Sequence, residues 1–158
     1  MNEEILDRAT LFLEICGCGN RCKHCYIPPH KNRYKDLSTV RIIIDNFARL
    51  LDPPAVTKGA FLYLHDDPTL YPDIIDLLAY AKSKGVSICT TLSTNGMGLV
   101  NRKNGGEILK AFIDSGIKGL QIAFYGQKEY HDWFSGSRGS FEVRRRAAEM
   151  AKEAGIWV

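Results

Sequence analysis

The sequence predicts an α/β fold built on parallel strands, and three observations predict it. Short β-like runs alternate with amphipathic helical patterns along the 158 residues. Glycines that suit helix ends follow three of those patterns, at Gly85, Gly116 and Gly155. Each helical stretch leads into another strand, and strand–helix–strand repetition implies right-handed crossovers and a parallel sheet or barrel.

The elements follow in order. "ATLFLEI", Ala9–Ile15, is the first strand, and a long polar loop with four cysteines and Pro28-Pro29 comes after it. Ser38 is the expected N-cap of a helix whose apolar face is Val40, Ile43, Ile44, Phe47 and Leu51. "GAFLYLH", Gly59–His65, is the second strand, ended by Asp66-Asp67-Pro68; Pro72 suits the first turn of the next helix. "VSICTTLS", Val86–Ser93, is the third strand, closed by the turn signal Asn95-Gly96. A glycine-rich loop precedes the helix "EILKAFIDS". "GLQIAFY", Gly119–Tyr125, is the fourth strand. Ser140–Ala154 is a helix capped by Ser140, and Ile156-Trp157-Val158 opens a fifth strand. Residues 1–158 therefore read as one domain of about four βα units, truncated where a helix should cover the last strand.

Composition narrows the functional class. A hydrophobic fraction of 45% and a charged fraction of 25% are those of a globular protein. The net charge of +3 is nearly balanced, and the basic run Arg144-Arg145-Arg146 reads as a solvated helix face, with no nucleic-acid partner indicated. The acidic start "MNEEILDR" is no secretory leader, and no run approaches the roughly 18 apolar residues that span a bilayer, so no membrane association is expected. Five cysteines, an odd number with four clustered, argue for metal or redox chemistry in a reducing, cytoplasmic compartment.

The cluster lies in "CGCGNRCKHCY" after strand one, and functional groups collect at the carboxyl ends of parallel strands. Cys18-x3-Cys22-x2-Cys25 brings three thiolates to one short loop. Three ligands suit a four-iron cube with one iron left open; Cys16 as a fourth ligand would instead make a closed zinc site. Spacing alone leaves both open.

At this point the sequence resembles the radical S-adenosylmethionine (SAM) enzymes. "CGNRCKHCY" is similar to their signature, "LYLHDDPTLYPDIIDLL" to the segment in which they carry Gly-Gly-Glu-Pro, and "LSTNG" to the end of their third strand. "LQIAFYG…YHDWFSGSRGSFEVRRRAAEMAKEAGI" is similar to their fourth strand and its following helix. The resemblance implies a radical SAM (β/α)6 partial barrel, of which this chain covers about the first two-thirds. It implies a [4Fe–4S] cluster on Cys18, Cys22 and Cys25, and S-adenosylmethionine on the open iron. Reductive cleavage to a 5′-deoxyadenosyl radical and hydrogen abstraction from substrate would follow, with a reductant such as flavodoxin or ferredoxin as partner. The substrate, small molecule or peptide, is not specified, although "GSFE…AKEAGI" resembles the peptide-modifying members.

Residue by residue, the resemblance implies His24 beside the adenine, Asp67 and Asp66 near the methionyl ammonium, and Asn95, Gln121 and Ala123 along the SAM site. His65-Asp66-Asp67 departs from the family, putting side chains where glycines are usual; carboxylates capping the next helix are the alternative. Ala123 stands where peptide-modifying members have a serine, and Ser135 where they often have arginine, leaving Arg138 as a substitute. His131-Asp132 would only fix its loop. Cys16 is expected to be a buried residue at the strand end, and Cys89 an interior strand residue. The rival functions are a non-catalytic zinc- or iron–sulfur-binding partner subunit and, more remotely, an electron carrier.

Overall fold

The computed structural model describes residues 7–25, 34–51 and 56–158. Pro28-Pro29 and the first six residues lie outside them. The parallel α/β expectation holds. Strand β1 (Ala9–Glu14) pairs in parallel with β2 (Ala60–His65) from Ala9↔Ala60 to Glu14↔His65, and β2 pairs in parallel with β3 (Ser87–Ile88). A second parallel pair joins β4 (Thr91–Ser93) to β5 (Gly119–Gln121), and Trp157 bridges in parallel to Gly119 beyond it.

The third predicted strand is thus two short ones, and the reason is a change of partner. Cys89 N–H still donates to Leu62 O, on the β2 side. One residue later, Thr90 O accepts from Lys118 and Gly119, on the β5 side. Cys89 sits at this changeover, not inside a strand. The fourth predicted strand stops at Gln121 because its partner β4 ends at Ser93. Residues 122–125 leave the sheet there.

Helices α1 (Leu37–Ala48), α2 (Ile74–Ser83), α4 (Gly105–Asp114) and α6 (Ser140–Glu153) contribute Ile44, Leu77, Phe112 and Ala147 to one core with Leu13, Leu62, Leu64 and Leu120. Alternation along β2 makes this possible: Ala60, Leu62 and Leu64 are buried, and Phe61, Tyr63 and His65 face the other way. That second face is open at β1, where Phe12 is 66% exposed beside Tyr63.

The helix ends show how far local chemistry carries. Gly85, Gly116 and Gly155 each follow a helix in the left-handed conformation, as predicted. Asp36, not Ser38, caps α1, its carboxylate accepting from the Ser38 and Thr39 N–H groups. Gly139, not Ser140, precedes α6.

Two helices were not expected. The glycine-rich loop forms α3 (Met97–Asn101), and the His131-Asp132 segment forms α5 (Lys128–Ser135). Among the described residues, no helix is long and apolar enough to cross a membrane.

Candidate functional site

A cavity of about 710 Å³ opens at the carboxyl ends of the strands. Cys18, Cys22, Cys25 and His24 of the loop after β1 line it, with Asp66 and Asp67 after β2, Asn95 after β4, and Gln121 and Ala123 at β5. These residues lie up to about a hundred positions apart in the chain, and the parallel topology gathers them. His65 is excluded. It lies on the sheet face toward β1 and touches the site through Asp66, its Nδ1 being 3.1 Å from Asp66 Oδ1.

The cysteine loop is seated on α5. A helix ends with carbonyl groups that have no partner of their own. Here Phe134 O and Ser135 O accept from the Lys23 and Arg21 N–H groups, both at 2.9 Å. Side chains reinforce the seat: Lys23 Nζ lies 4.4 Å from the Trp133 ring centroid, and His24 stacks on Phe134 at 5.1 Å. Asp132 closes the assembly by accepting from Gly139 and Phe141 at the start of α6. His131 Nδ1 accepts from Tyr125 N–H and its Nε2 faces Ser140 Oγ. The pair fixes this region, in keeping with the structural role read from sequence.

Cys16 stands apart. It is buried, and its thiol donates to Asp67 O at 3.0 Å on the far side of the strand end. Burial, then the Asp67 charge, pushes its pKa up to about 12, so it stays protonated. Cys18 differs. Burial raises its pKa too, but N–H donors from the Asn20 backbone and the Asn95 side chain oppose the shift.

Among the described residues, no three His, Cys, Asp or Glu side chains gather tightly enough for one metal ion. A single zinc with four sulfurs at about 2.3 Å would hold them roughly 3.8 Å from one another. Cys18, Cys22 and Cys25 line one cavity, and cysteine thiolates are the donors that an iron–sulfur cluster takes.

The Asp67 carboxylate is wholly buried. Oδ1 accepts from Thr94 Oγ1 at 2.6 Å and Thr69 Oγ1 at 2.7 Å, and Oδ2 from Asn95 N–H at 3.3 Å. Burial raises its pKa against those bonds. Asp66 adopts φ 67°, a left-handed conformation that explains why glycine is usual there and that costs an L residue about 1 kcal/mol.

Two residues escaped sequence reasoning. Asn20 is 6% exposed and lines the cavity, yet neither side-chain polar atom has a hydrogen-bond partner among the described residues. Arg144 is 3% exposed; its guanidinium donates to Ala123 O and covers the Tyr125 ring, while Nε has no partner. It was read as part of a solvated run, which Arg145 and Arg146 are, paired with Glu142 and Glu149. Arg138 is exposed and off the cavity, so among the described residues Arg144 is the arginine that reaches it. A polar ligand, a water or an ion in the cavity would satisfy such atoms.

The sequence pattern of the Radical SAM superfamily matches residues 15–158. The chain belongs to the radical SAM superfamily. Its family's cofactors are a [4Fe–4S] cluster and S-adenosylmethionine. It is 32% identical over 144 residues to an AdoMet-dependent heme synthase from Oleidesulfovibrio alaskensis, covering 89% of this chain and 34% of that protein. It is 30% identical to an Fe-coproporphyrin III synthase from Methanosarcina barkeri, covering 89% and 33%. The antilisterial bacteriocin subtilosin biosynthesis protein AlbA of Bacillus subtilis is 27% identical, covering 89% and 30%. The chain therefore spans about a third of the length of these relatives. Among solved structures, Streptococcus suis SuiB bound to its precursor peptide SuiA superposes with TM-score 0.64 at 18% identity, covering 96% of this chain and 31% of that one. The structure of anSMEcpe with bound AdoMet and a peptide gives 0.65 at 18%, covering 95% and 41%. These two likenesses show the fold, the radical SAM partial barrel.

Proposed function

We propose that this chain is the cluster- and SAM-binding portion of a radical SAM enzyme, with Cys18, Cys22 and Cys25 as the cluster ligands. The observation that carries the reading is the convergence of those three thiols, without Cys16, on a cavity that also holds two buried polar groups without a hydrogen-bond partner among the described residues, Asn20 and Arg144 Nε. When bound, the reduced cluster and SAM supply a 5′-deoxyadenosyl radical able to take hydrogen from a substrate.

The chain's own residues bind, orient and shield. His24, backed by Phe134, offers a ring to the adenine. Asn20 and Arg144 meet polar groups of SAM from inside the cavity, and Arg144 replaces the hydrogen bond that Ala123 does not provide. Asp66 supplies carboxylate to the cavity with His65 beside it. Asp67 is held by Thr69, Thr94 and Asn95 and acts as an internal brace, leaving the ammonium to Asp66. Gln121 forms the wall opposite, bonded to Ser93.

The substrate is a peptide or a small molecule. Peptide modification is supported by AlbA and by the peptide-bound neighbour, while the heme synthases support a tetrapyrrole. An odd number of cysteines, four of them clustered, supports a reducing, cytoplasmic setting, and the reaction would draw its electron from a donor such as flavodoxin or ferredoxin.

Anaerobically reconstituted protein given dithionite and SAM should release 5′-deoxyadenosine, which chromatography quantifies. A chain that assembles the cluster and releases none is a non-catalytic relative. A stoichiometric zinc dependent on Cys16 would establish the rival partner-subunit reading.

A further inference from the structure

Asn95 binds the site in two directions at once. Its Oδ1 accepts from Met97 N–H at 2.9 Å, and its Nδ2 donates to Cys18 Sγ at 3.2 Å. The first bond fixes the amide's orientation, because only the oxygen can accept from a backbone N–H, and so the nitrogen must face the sulfur. The residue has no freedom to swing away. Its N–H donates to Asp67 Oδ2, Thr94 Oγ1 donates to Asp67 Oδ1, and Gly96 N–H donates to Thr94 Oγ1 at 2.9 Å. Asp67 is thereby the fixed point of a chain of bonds that ends on Cys18.

We infer that Asn95 is a positioning residue that sets the reduction potential of the cluster through Cys18, with Asp67 as its anchor; the inference rests on Cys18, Cys22 and Cys25 holding that cluster. Reduction adds one electron, and part of the added negative charge falls on the ligand sulfurs. An N–H donor strengthens its bond as that charge grows, so it stabilises the reduced state and raises the potential. A donor held by its own acceptor bond and a buried carboxylate loses no orientation when the charge changes. In the sequence the residue reads both as a turn signal and as a SAM contact; its backbone makes the turn, and its side chain reaches the sulfur.

The test is an EPR-monitored redox titration of anaerobically reconstituted wild type, Asn95→Asp and Asn95→Ser. Both variants keep an oxygen for Met97 N–H, the aspartate by its carboxylate and the serine by the shorter hydroxyl turn. The aspartate carboxylate has no hydrogen to donate, and the serine hydroxyl ends one atom short of the amide nitrogen that reaches Cys18, so neither places a donor on the sulfur. At a fixed potential near the wild-type midpoint, the reduced-to-oxidised ratio should fall about tenfold in each variant, or about 59 mV for one electron. Asn95→Ser carries no new charge and decides the matter if Asn95→Asp does not fold. A folded Asn95→Ser with a full cluster and an unmoved midpoint overturns the inference and leaves the cluster assignment standing. Loss of iron from folded Asn95→Ser overturns the redox claim as well, since Asn95 would then hold Cys18 and not tune it. A wild type that takes up no iron overturns the cluster assignment itself.

Discussion

Arg21 donates its backbone N–H to the carbonyl oxygen of Ser135 at 2.9 Å, so the cysteine loop rests on the end of α5. Gly136 permits this closeness. It has φ 62°, and a Cβ there would stand 2.7 Å from Arg21 O. Gly136→Ala should therefore cost about 2 kcal/mol, from left-handed strain and the displaced carbonyl together. Urea denaturation measures that cost, and the same variant should hold less iron than wild type. An alanine variant as stable as wild type would mean that the loop is not seated this way.

Cys16 is separated from the other three by burial, by its bond to Asp67 O and by a pKa near 12. Alkylation of the metal-free native protein should modify the exposed Cys25 first and Cys16 last, as peptide mass spectrometry would report. Cys16→Ala should assemble as much iron as wild type, whereas Cys18→Ala, Cys22→Ala or Cys25→Ala should not. Iron loss in Cys16→Ala at unchanged stability would make it a ligand after all.

Asp67→Asn tests the brace. The buried carboxylate accepts from two backbone N–H groups, of Thr69 and Asn95, and from two hydroxyls. An amide has only one oxygen, so its nitrogen must face a donor. That mismatch should cost about 2 kcal/mol. A change below a quarter of that, measured in urea, would show that the site relaxes around the amide and that Asp67 braces nothing.

His131 gives the fold a pH dependence. Burial, then the Arg144 charge, lowers its pKa, while Asp132 opposes the shift. Its neutral ring, accepting from Tyr125 N–H, belongs to the folded state. The unfolded chain takes up the proton near pH 6.5 and the folded chain does so only at lower pH. The contribution of His131 is thus complete above about pH 6.5 and is lost as pH falls from there through the lowered folded value. Unfolding free energies of wild type and His131→Gln should converge across that interval. Parallel profiles would contradict the assignment.

Much of this was legible in the sequence, and the rest was hidden for physical reasons. The cysteine spacing, the apolar run of β2 and the glycine stops at residues 85, 116 and 155 are local signals, and the structure keeps them. Helix α3 was obscured by Gly98, which breaks the helical pattern. It is required because a Cβ there would fall 1.9 Å from Thr69 O. Helix α5 was obscured because Tyr130 and Trp133 are exposed and Phe134 faces the cysteine loop, so no apolar stripe turned toward the core appears. Arg144 and Asn20 carry no sequence signal at all: an arginine between arginines and an asparagine among cysteines look solvated until the strands bring Ala123 and Tyr125 alongside. Asp67 was placed correctly after β2, but its burial depends on Thr94, 27 residues away.

The central claim is that Cys18, Cys22 and Cys25 hold an iron–sulfur cluster with one iron open to SAM. The EPR spectrum of the reduced, reconstituted protein, recorded before and after adding SAM, tests it most directly. The account predicts about four irons per chain and a signal whose g-values shift when SAM arrives. An identical spectrum in its presence, or a protein that takes zinc through four cysteines in place of iron, would contradict it.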